Sequence, residues 1–221
     1  SRRLQSRLRS RRPRSRPRAA IPGVEAATAA ADTRAMSGSY LTHQFLIAMP
    51  TMGDPNFDHT VTYICEHNDD GALGLVVNRP TGMQLSEIFR QMSLDASDEL
   101  VADAPVLQGG PVQQERGFVI HDQGGDWGSS LEVSDGIHVT TSRDILEAMA
   151  EGEGPNNALV VVGYAGWGAG QLESEMAANA WLTVPASKEI LFDIPYGDRW
   201  RAAAALLGID IDQISTDVGH A

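Results

Sequence analysis

Residues 50–80 have the sequence PTMGDPNFDHTVTYICEHNDDGALGLVVNRP, and this stretch decides the fold. Asp54-Pro55-Asn56 is typical of a tight turn, because Asp caps its own turn and Pro fixes φ at its position. Residues 60–66 are β-branched and aromatic, which favours a strand, and residues 73–78 return as an apolar strand. The polar turn between them is too short for a parallel crossover, so we predict an antiparallel hairpin.

The rest of the chain mixes strands and helices without a regular βαβ period. Thr141 and Asp144 form a capping box that begins a helix, and Gly152 is placed to end it in a left-handed conformation. Mixed elements of this kind predict an α+β fold with a strongly bent, largely antiparallel sheet. Helices are predicted over 85–92, 141–151 and about 198–207. A further helix is predicted to follow a glycine-rich turn at 163–170 and to continue through Trp181. Further strands are predicted at 45–49, 106–107, 117–121, 137–140 and 158–162.

The charge distribution divides the chain in two. Nine arginines fall within residues 1–18, whereas residues 37–221 carry 7 basic and 27 acidic side chains, a formal charge of −20. Residues 1–36 hold almost no bulky apolar side chains, so we predict a disordered leader followed by one domain at 37–221. Arg3 also allows a twin-arginine signal, and the arginine cluster allows an arm that binds nucleic acid. The disordered leader is preferred, because arginine runs without apolar partners are usually solvated.

Composition excludes several function classes for the domain. Cys65 is the only cysteine, which excludes an intrachain disulfide and a cysteine-rich zinc site. The longest uncharged apolar stretch, around 158–170, is too short and too rich in glycine to span a bilayer. A cytoplasmic location follows. The domain is predicted not to bind DNA, RNA or an anionic membrane directly, because like charges repel.

The glycine-rich segment 161–170 invites comparison with nucleotide-binding loops, since it lies between a predicted strand and a predicted helix. Its GxGxG spacing matches neither the dinucleotide fingerprint nor a Walker loop, and no Lys-Ser or Lys-Thr follows. Glu173 and Glu175 would also oppose a phosphate at the start of the helix. We therefore interpret the segment as a steric turn over which Trp167 packs, and we predict no cofactor.

Cys65 and the histidines offer two further chemistries. Cys65 and His67 lie two residues apart on a predicted strand and can share a metal with His59, but no helical ligand pair completes such a site. Cys65 as a nucleophile needs a neighbouring base such as His59, His67 or His121. A single cysteine in a core strand is usually an inert apolar residue, so we predict neither a metal site nor a catalytic cysteine.

Arg79 is one of few cations in a strongly acidic domain, and it follows a buried strand directly. We expect its guanidinium to tie down an acid or a loop carbonyl, with contact to a ligand as the alternative. Gly109 and Gly110 either expose backbone N–H groups as an anion-binding nest or form a plain turn. The candidate surface for a ligand or a partner therefore comprises His59, Asn78, Arg79, Gly109 and Gly110.

The same motifs carry a resemblance to a known family. In order along the chain they are DPNF at 54–57, EHNDDGALGLVVNRP at 66–80, GGPV at 109–112, RGFVIH at 116–121, TTSRDIL at 140–146, GYAGWG at 163–168 with GQLE at 170–173, and Trp181-Leu182. A chain with these blocks from about Tyr40 onward resembles the AlgH/YqgE family of small bacterial proteins, and the terminal Gly-His-Ala at 219–221 is similar to that family's ending. Ala169 stands where relatives often have proline.

The resemblance implies a compact α+β domain with a barrel-like sheet surrounded by helices, and it implies no reaction, cofactor or catalytic set. Members are often labelled transcriptional regulators. The charge of the domain and the missing helix-turn-helix make any such role indirect. The preferred hypothesis is a non-catalytic interaction or regulatory domain with a protein partner. The alternative is a small-molecule-binding domain or an enzyme with a site near His59, Asn78 and Arg79. No oligomeric state is predicted.

Overall fold

The structure is a computed structural model that describes residues 40–134 and 136–214. The predicted leader at 1–36 and the terminal Gly-His-Ala lie outside these residues. The strands are β1 (Gln44–Ala48), β2 (Val61–Asn68), β3 (Gly71–Val76), β4 (Pro80–Gln84), β5 (Pro105–Gln108), β6 (Val112–His121), β7 (Ser130–Ser134), β8 (Ile137–Thr140), β9 (Ala158–Gly168) and β10 (Trp181–Pro185). The helices are α1 (Leu85–Gln91), α2 (Glu99–Ala102), α3 (Arg143–Glu151), α4 (Gln171–Ala177) and α5 (Arg199–Ala205), with a π-helical segment at Glu189–Asp193 and a 3-10 turn at Ile211–Gln213.

The strands form one curled sheet in the order β10-β1-β2-β3-β9-β6-β8-β7, and β4 and β5 branch from it at β9. Within the described ranges, β5 and β9 are the only parallel pair. The sheet is a strongly curled antiparallel half-barrel with several helices against it, which confirms the predicted α+β class. Among the described strands, β1-β2, β2-β3, β4-β5 and β7-β8 are pairs of consecutive strands, and the other five pairings join strands that are not consecutive in the chain.

Three apolar clusters cover the faces of the sheet. The π-helical segment and α5 close the first cluster, α1 and α3 close the second, and α4 closes the third. Strand β9 supplies all three, with Val161 in the first, Val160 in the second and Trp167 in the third. Because β9 is buried on both faces over much of its length, its sequence is a nearly continuous apolar run.

The predicted hairpin is confirmed. β2 and β3 pair in antiparallel register, with Tyr63 opposite Leu75 and a bulge between Ile64 and Glu66. Gly152 ends α3 with φ 81°, as its position predicted. The predicted start of this helix is shifted by one residue, because Ser142 rather than Thr141 is the N-cap and its hydroxyl donates to the carboxylate of Asp144.

Two predictions for 163–181 are wrong. The glycine-rich segment is not a turn, because β9 continues through Gly168 and pairs with β3. The helix that follows ends at Ala177, and Trp181 begins β10, which pairs with β1. On β10, Trp181 packs in the third apolar cluster and Val184 in the first, so the two side chains lie on opposite faces of a strand. This packing overrides the local preference for helix.

Strands β4 and β7 and helix α2 were not predicted, because each is only four or five residues long and leaves too short a pattern in the sequence. Over 40–134 and 136–214, no helix combines the length and the apolar character needed to cross a membrane.

Candidate functional site

A surface loop at 54–59, hereafter the 54–59 loop, contains His59, one of the predicted site residues, and is contacted by two others, Asn78 and Arg79. Its first turn is closed by Asp54, whose carboxylate accepts hydrogen bonds from the backbone N–H of Asn56 (2.8 Å) and from its side-chain amide (2.9 Å). The loop ends at His59, which has φ 54°, a conformation that few non-glycine residues adopt. The predicted turn chemistry of Asp54-Pro55-Asn56 is therefore present.

Arg79 holds the 54–59 loop against the sheet. Its Nη1 donates to the carbonyl oxygens of Pro55 (3.0 Å) and Asn56 (2.8 Å), and its Nη2 donates to that of Asp58 (2.9 Å). A planar guanidinium suits this role, because its donors have a fixed geometry and it stays charged. The predicted tie from Arg79 to loop carbonyls is confirmed.

Asn78 adds a second tie from the same strand end. Its side-chain oxygen accepts from the N–H of Val61 (2.9 Å), and its side-chain NH₂ donates to the carbonyl of His59 (2.9 Å). Both ends of the amide are therefore used to join the 54–59 loop to the start of β2.

Aromatic contacts also hold the 54–59 loop. Phe57 stacks on Trp167 (ring centroids 6.1 Å apart) and meets Trp181 edge-on (5.4 Å). One carboxylate oxygen of Glu175 accepts from both of these indole N–H groups, each at 2.9 Å. The ring of His59 lies 4.3 Å from that of Trp200, and its Nδ1 is 2.5 Å from the carboxylate of Asp58.

Gly109 and Gly110 are both buried. The N–H of Gly109 already donates to the carbonyl of Val162 (2.8 Å), so Gly109 cannot contribute to an anion-binding nest. A Cβ on Gly110 would lie 2.3 Å from the backbone of Tyr164. These two glycines are explained by the close approach of two backbones, and the nest interpretation is corrected at Gly109.

Sequence reasoning missed Arg199, a buried cation beside the same strand end. Arg199 is 5 % exposed and donates to the carbonyls of Val77 (2.5 Å) and Ile194 (2.9 Å). Burial lowers the pKa of Arg199 to about 10, so the guanidinium remains charged at neutral pH. Among the described residues, no carboxylate forms a salt bridge with Arg199. Its place in the first turn of α5, with a second arginine two residues later, gave no signal of burial.

The other residues considered for chemistry are held in structural contacts. Burial raises the pKa of the Cys65 thiol, which disfavours the nucleophilic thiolate. His67 accepts from the N–H of Leu41 at Nδ1 (3.0 Å) and donates from Nε2 to Glu173 (2.9 Å). Within 40–134 and 136–214, no group of three or more His, Cys, Asp or Glu side chains is placed to hold a metal.

His121 is fully buried, and its two ring nitrogens contact the carbonyl of Gln123 (2.7 Å) and the hydroxyl of Thr140 (2.8 Å). Burial lowers its pKa, the backbone carbonyl of Gln123 and the carboxylate of Asp122 act in the opposite direction, and neighbouring His138 lowers it further. The imidazole of His121 therefore binds a proton less tightly in the folded state than in the unfolded chain.

We expect the free energy of unfolding to fall as pH decreases below about 6.5, where the unfolded histidine becomes protonated first. One histidine contributes a slope of at most about 1.4 kcal/mol per pH unit. Urea unfolding of wild type and His121→Gln between about pH 7 and pH 5 measures this slope, and the variant should show a shallower one. Equal slopes would contradict the assignment. His43, whose pKa burial also lowers, contributes to both proteins alike.

A concave surface lies between α1 and α3, and none of its lining residues belongs to the 54–59 loop. This apolar cleft has a volume of about 450 Å³, and its floor is formed by β6 and β9. The lining is mostly apolar, with polar groups at its edge. Its residues include Met83, Ile88, Met92, Gly117, Val119, Leu146, Val160 and Val162, with Gln91, Gln114, Glu115 and Arg143 among the polar ones.

Comparison with known proteins identifies the family of this chain. A sequence profile described as AlgH-like matches residues 45–212. The chain belongs to the AlgH-like family. A UPF0301 protein of Thioalkalivibrio sulfidiphilus is 59 % identical over 185 residues, which cover 84 % of this chain and 99 % of that protein.

Two solved structures show how far the AlgH-like fold extends. The solution structure of the AlgH protein from Pseudomonas aeruginosa is 49 % identical and superposes with a TM-score of 0.69, covering 86 % of this chain and 100 % of that one. A crystal structure of a protein from Corynebacterium diphtheriae is 17 % identical with a TM-score of 0.59, covering 75 % of this chain and 86 % of that one. The second likeness concerns the fold alone.

Proposed function

We propose that this AlgH-like chain is a non-catalytic interaction domain and that the 54–59 loop is its partner surface. One observation supports this proposal: the guanidinium of Arg79 donates hydrogen bonds to three backbone carbonyls of the loop and so holds the loop in one conformation. Arg79 and Asn78 bind the backbone carbonyls of the loop, so the loop's own side chains remain on the surface. Asp54, Asn56 and Asp58 are exposed on it.

A loop ordered in advance suits recognition of a protein. Docking then requires little loss of conformational entropy at the interface, which improves affinity without adding contacts. Loops on a rigid scaffold are also where proteins most often place binding residues. The partner surface therefore comprises His59 and the outward side chains of the loop, while Asn78 and Arg79 act behind it.

The proposal includes an indirect route to gene regulation in the bacterial cytoplasm. A formal charge of −20 over 37–221 opposes direct contact with operator DNA, so contact with a regulatory protein is the route that the charge favours.

A small-molecule site is the second candidate, and one observation favours it. His59 lines a cavity of about 540 Å³ together with Pro50, Trp200 and residues 211–214. That volume suits a small ligand. Asn78 and Arg79 do not line this cavity, which is why the interaction domain is preferred.

Arg79→Ala tests the proposal. The change leaves three loop carbonyls without their charged donor, so we expect the free energy of unfolding to fall by about 1–3 kcal/mol and the loop to become mobile. Affinity capture from native lysate with quantitative mass spectrometry should then lose specific protein partners at a temperature where the variant is folded. Arg90→Ala is the matched control, since it removes one exposed cation from α1 and should retain them.

Metabolite mass spectrometry on the same purified proteins separates the two candidates. If Arg79→Ala keeps its protein partners, or if wild type co-purifies with a small molecule that His59→Ala loses, the interaction-domain proposal is wrong. Unchanged stability of Arg79→Ala would show that the three carbonyl bonds do not order the loop.

A further inference from the structure

His67 on β2 is buried and joins two other segments of the chain through its ring. Its Nδ1 accepts a hydrogen bond from the backbone N–H of Leu41 (3.0 Å), and its Nε2 lies 2.9 Å from the carboxylate of Glu173 on α4. These partners fix the tautomer, because a backbone N–H can only donate and a carboxylate can only accept. In this arrangement the imidazole is therefore neutral and carries its proton on Nε2.

Residues 40–42, hereafter the strap, precede β1 and pack on the ring of His67. The backbone N–H of His67 donates to the hydroxyl of Thr42 (3.0 Å). Tyr40 meets the imidazole edge-on, with ring centroids 5.5 Å apart, and its hydroxyl donates to the carboxylate of Asp69 (2.8 Å). The bond from Leu41 to Nδ1 is thus the contact of the strap that depends directly on the protonation state of His67.

The strap and the 54–59 loop pack on the same apolar cluster. The side chain of Leu41 contacts the third apolar cluster, and so does that of Phe57 in the loop. Helix α4 is bonded on both sides, since Glu173 binds His67 and Glu175 binds the two indoles on which Phe57 packs. A movement of the strap therefore changes the packing that holds the loop.

A second proton on His67 is incompatible with the observed arrangement. Protonated Nδ1 is a donor, so it would face the N–H of Leu41 with no acceptor between them. The bond from Nε2 to Glu173 survives and becomes charge-assisted, which keeps the ring in place while the strap loses its acceptor. Histidine is the side chain that ordinarily changes charge between pH 5 and 8. Acidification therefore acts on the strap through this ring.

The other titratable groups near this ring are a tyrosine, two acids and a second histidine. The hydrogen bond to Asp69 raises the pKa of Tyr40, so its hydroxyl stays neutral. A bond from its own backbone N–H lowers the pKa of Glu173, burial acts in the opposite direction, and the bond from His67 lowers it further, so this carboxylate stays charged. Burial lowers the pKa of His43, which follows the strap. His43 is therefore the residue to control for in a titration.

We propose that His67 is a pH-sensitive latch and that its protonation releases the strap from the third apolar cluster. Release removes Leu41 from the cluster and loosens the 54–59 loop, which packs on the same residues. The regulatory consequence rests on the function proposed above, where this loop is the partner surface. The release itself does not depend on that function.

Amide hydrogen exchange of wild type, measured by NMR between about pH 7.5 and about pH 5, tests the release. The readout is the protection factor of the Leu41 N–H, which removes the intrinsic pH dependence of exchange. We expect it to fall at least about 10-fold on acidification, as the loss of one hydrogen bond implies. Long-range ¹H–¹⁵N spectra of the imidazoles should show Nδ1 of His67 gaining its proton over the same pH range.

His67→Asn and His43→Gln are the matched variants. His67→Asn supplies a side-chain oxygen that can accept from Leu41 but takes up no proton, so the protection of Leu41 should no longer depend on pH. His43→Gln removes the neighbouring histidine and keeps the latch, so it should retain the full change. Thermal unfolding verifies that both variants fold, and the comparison of Leu41 with the His67 ring in wild type stands without them.

Constant protection of Leu41 in wild type would overturn the proposal. Loss of protection at a pH where the ring of His67 has gained no proton would do the same, as would a pH dependence that persists in His67→Asn. A pH dependence that disappears in His43→Gln would show that the other histidine controls the strap.

The N–H of Phe57, which donates to the carbonyl of Asp54 (3.0 Å), reports on the 54–59 loop in the same spectra. It should lose protection together with Leu41, and unchanged protection would overturn the link between the strap and the loop. Partner capture with Arg79→Ala tests the proposed function separately, because the exchange measurements involve no partner.

Discussion

Gly110→Ala is expected to lower the free energy of unfolding by roughly 3 kcal/mol or more, since overpacking and an unfavourable φ add together. A Cβ at this position would lie 2.3 Å from both the carbonyl carbon and the oxygen of Tyr164, and Gly110 has φ 153°. The obstructing atoms belong to the backbone of β9, which is paired on both sides and supplies all three apolar clusters. Neither partner can move without disturbing the centre of the sheet.

Gly117→Ala is the matched control for this prediction. A Cβ at Gly117 meets no described atom within 4 Å, so alanine should be neutral or stabilise the fold by about 0.4–1 kcal/mol through the unfolded state. Urea unfolding monitored by circular dichroism gives both free energies. The thermal midpoint of Gly110→Ala should fall by roughly 6–12 °C, as 3 kcal/mol implies for a domain of this size. Similar stabilities for the two variants would contradict the close-approach explanation of Gly110.

Arg199→Ala is the second prediction with a large effect. The change removes the donors that serve the carbonyls of Val77 and Ile194 and leaves a cavity beside Trp200 and the first apolar cluster. Each buried carbonyl left without a partner costs about 1–3 kcal/mol, and an unfilled cavity adds to this. We expect a total loss of about 3–5 kcal/mol, because removal of the buried charge itself returns part of the desolvation penalty.

Two further substitutions separate the contributions at this position. Arg199→Met fills most of the volume without charge or donors, so its loss relative to wild type measures the two hydrogen bonds. Arg199→Lys keeps the charge, but a single ammonium group lacks the forked geometry that reaches two carbonyls. We expect both to lie between wild type and alanine in urea unfolding. Arg199→Met as stable as wild type would show that the carbonyl bonds contribute nothing net.

Local chemistry explains what the sequence predicted well. The hairpin of β2 and β3 follows from two apolar strands around a short polar turn, and the end of α3 follows from a glycine at Gly152. The tie from Arg79 followed from a cation placed directly after a buried strand. In the first two cases the deciding contacts lie within one segment. In the third, a guanidinium that can only donate had to find an acceptor beside the strand end, whichever segment supplied it.

The errors arose where contacts are distant along the chain. The glycines of β9 looked like a turn, but Gly163 has φ 73° and is needed because the carbonyl of Gly110 would lie 2.7 Å from a Cβ there. Trp181 looked like the end of a helix, but its strand pairs with β1. Pairing partners that far apart leave no periodicity in the sequence, so tertiary contacts override local preference.

The sequence by itself determined the AlgH-like family, the α+β class and the acidic character of the domain, because these rest on local motifs and on composition. It also placed His59, Asn78 and Arg79 together as candidates. Only the tertiary structure decided that Gly109 and Gly110 are buried, that Arg199 reaches Val77 across 122 residues, and that Gly117 lines a cleft between α1 and α3. Burial and cavities depend on which distant segments pack together. That packing results from all the contacts of the chain acting together, so no short stretch of sequence reveals it.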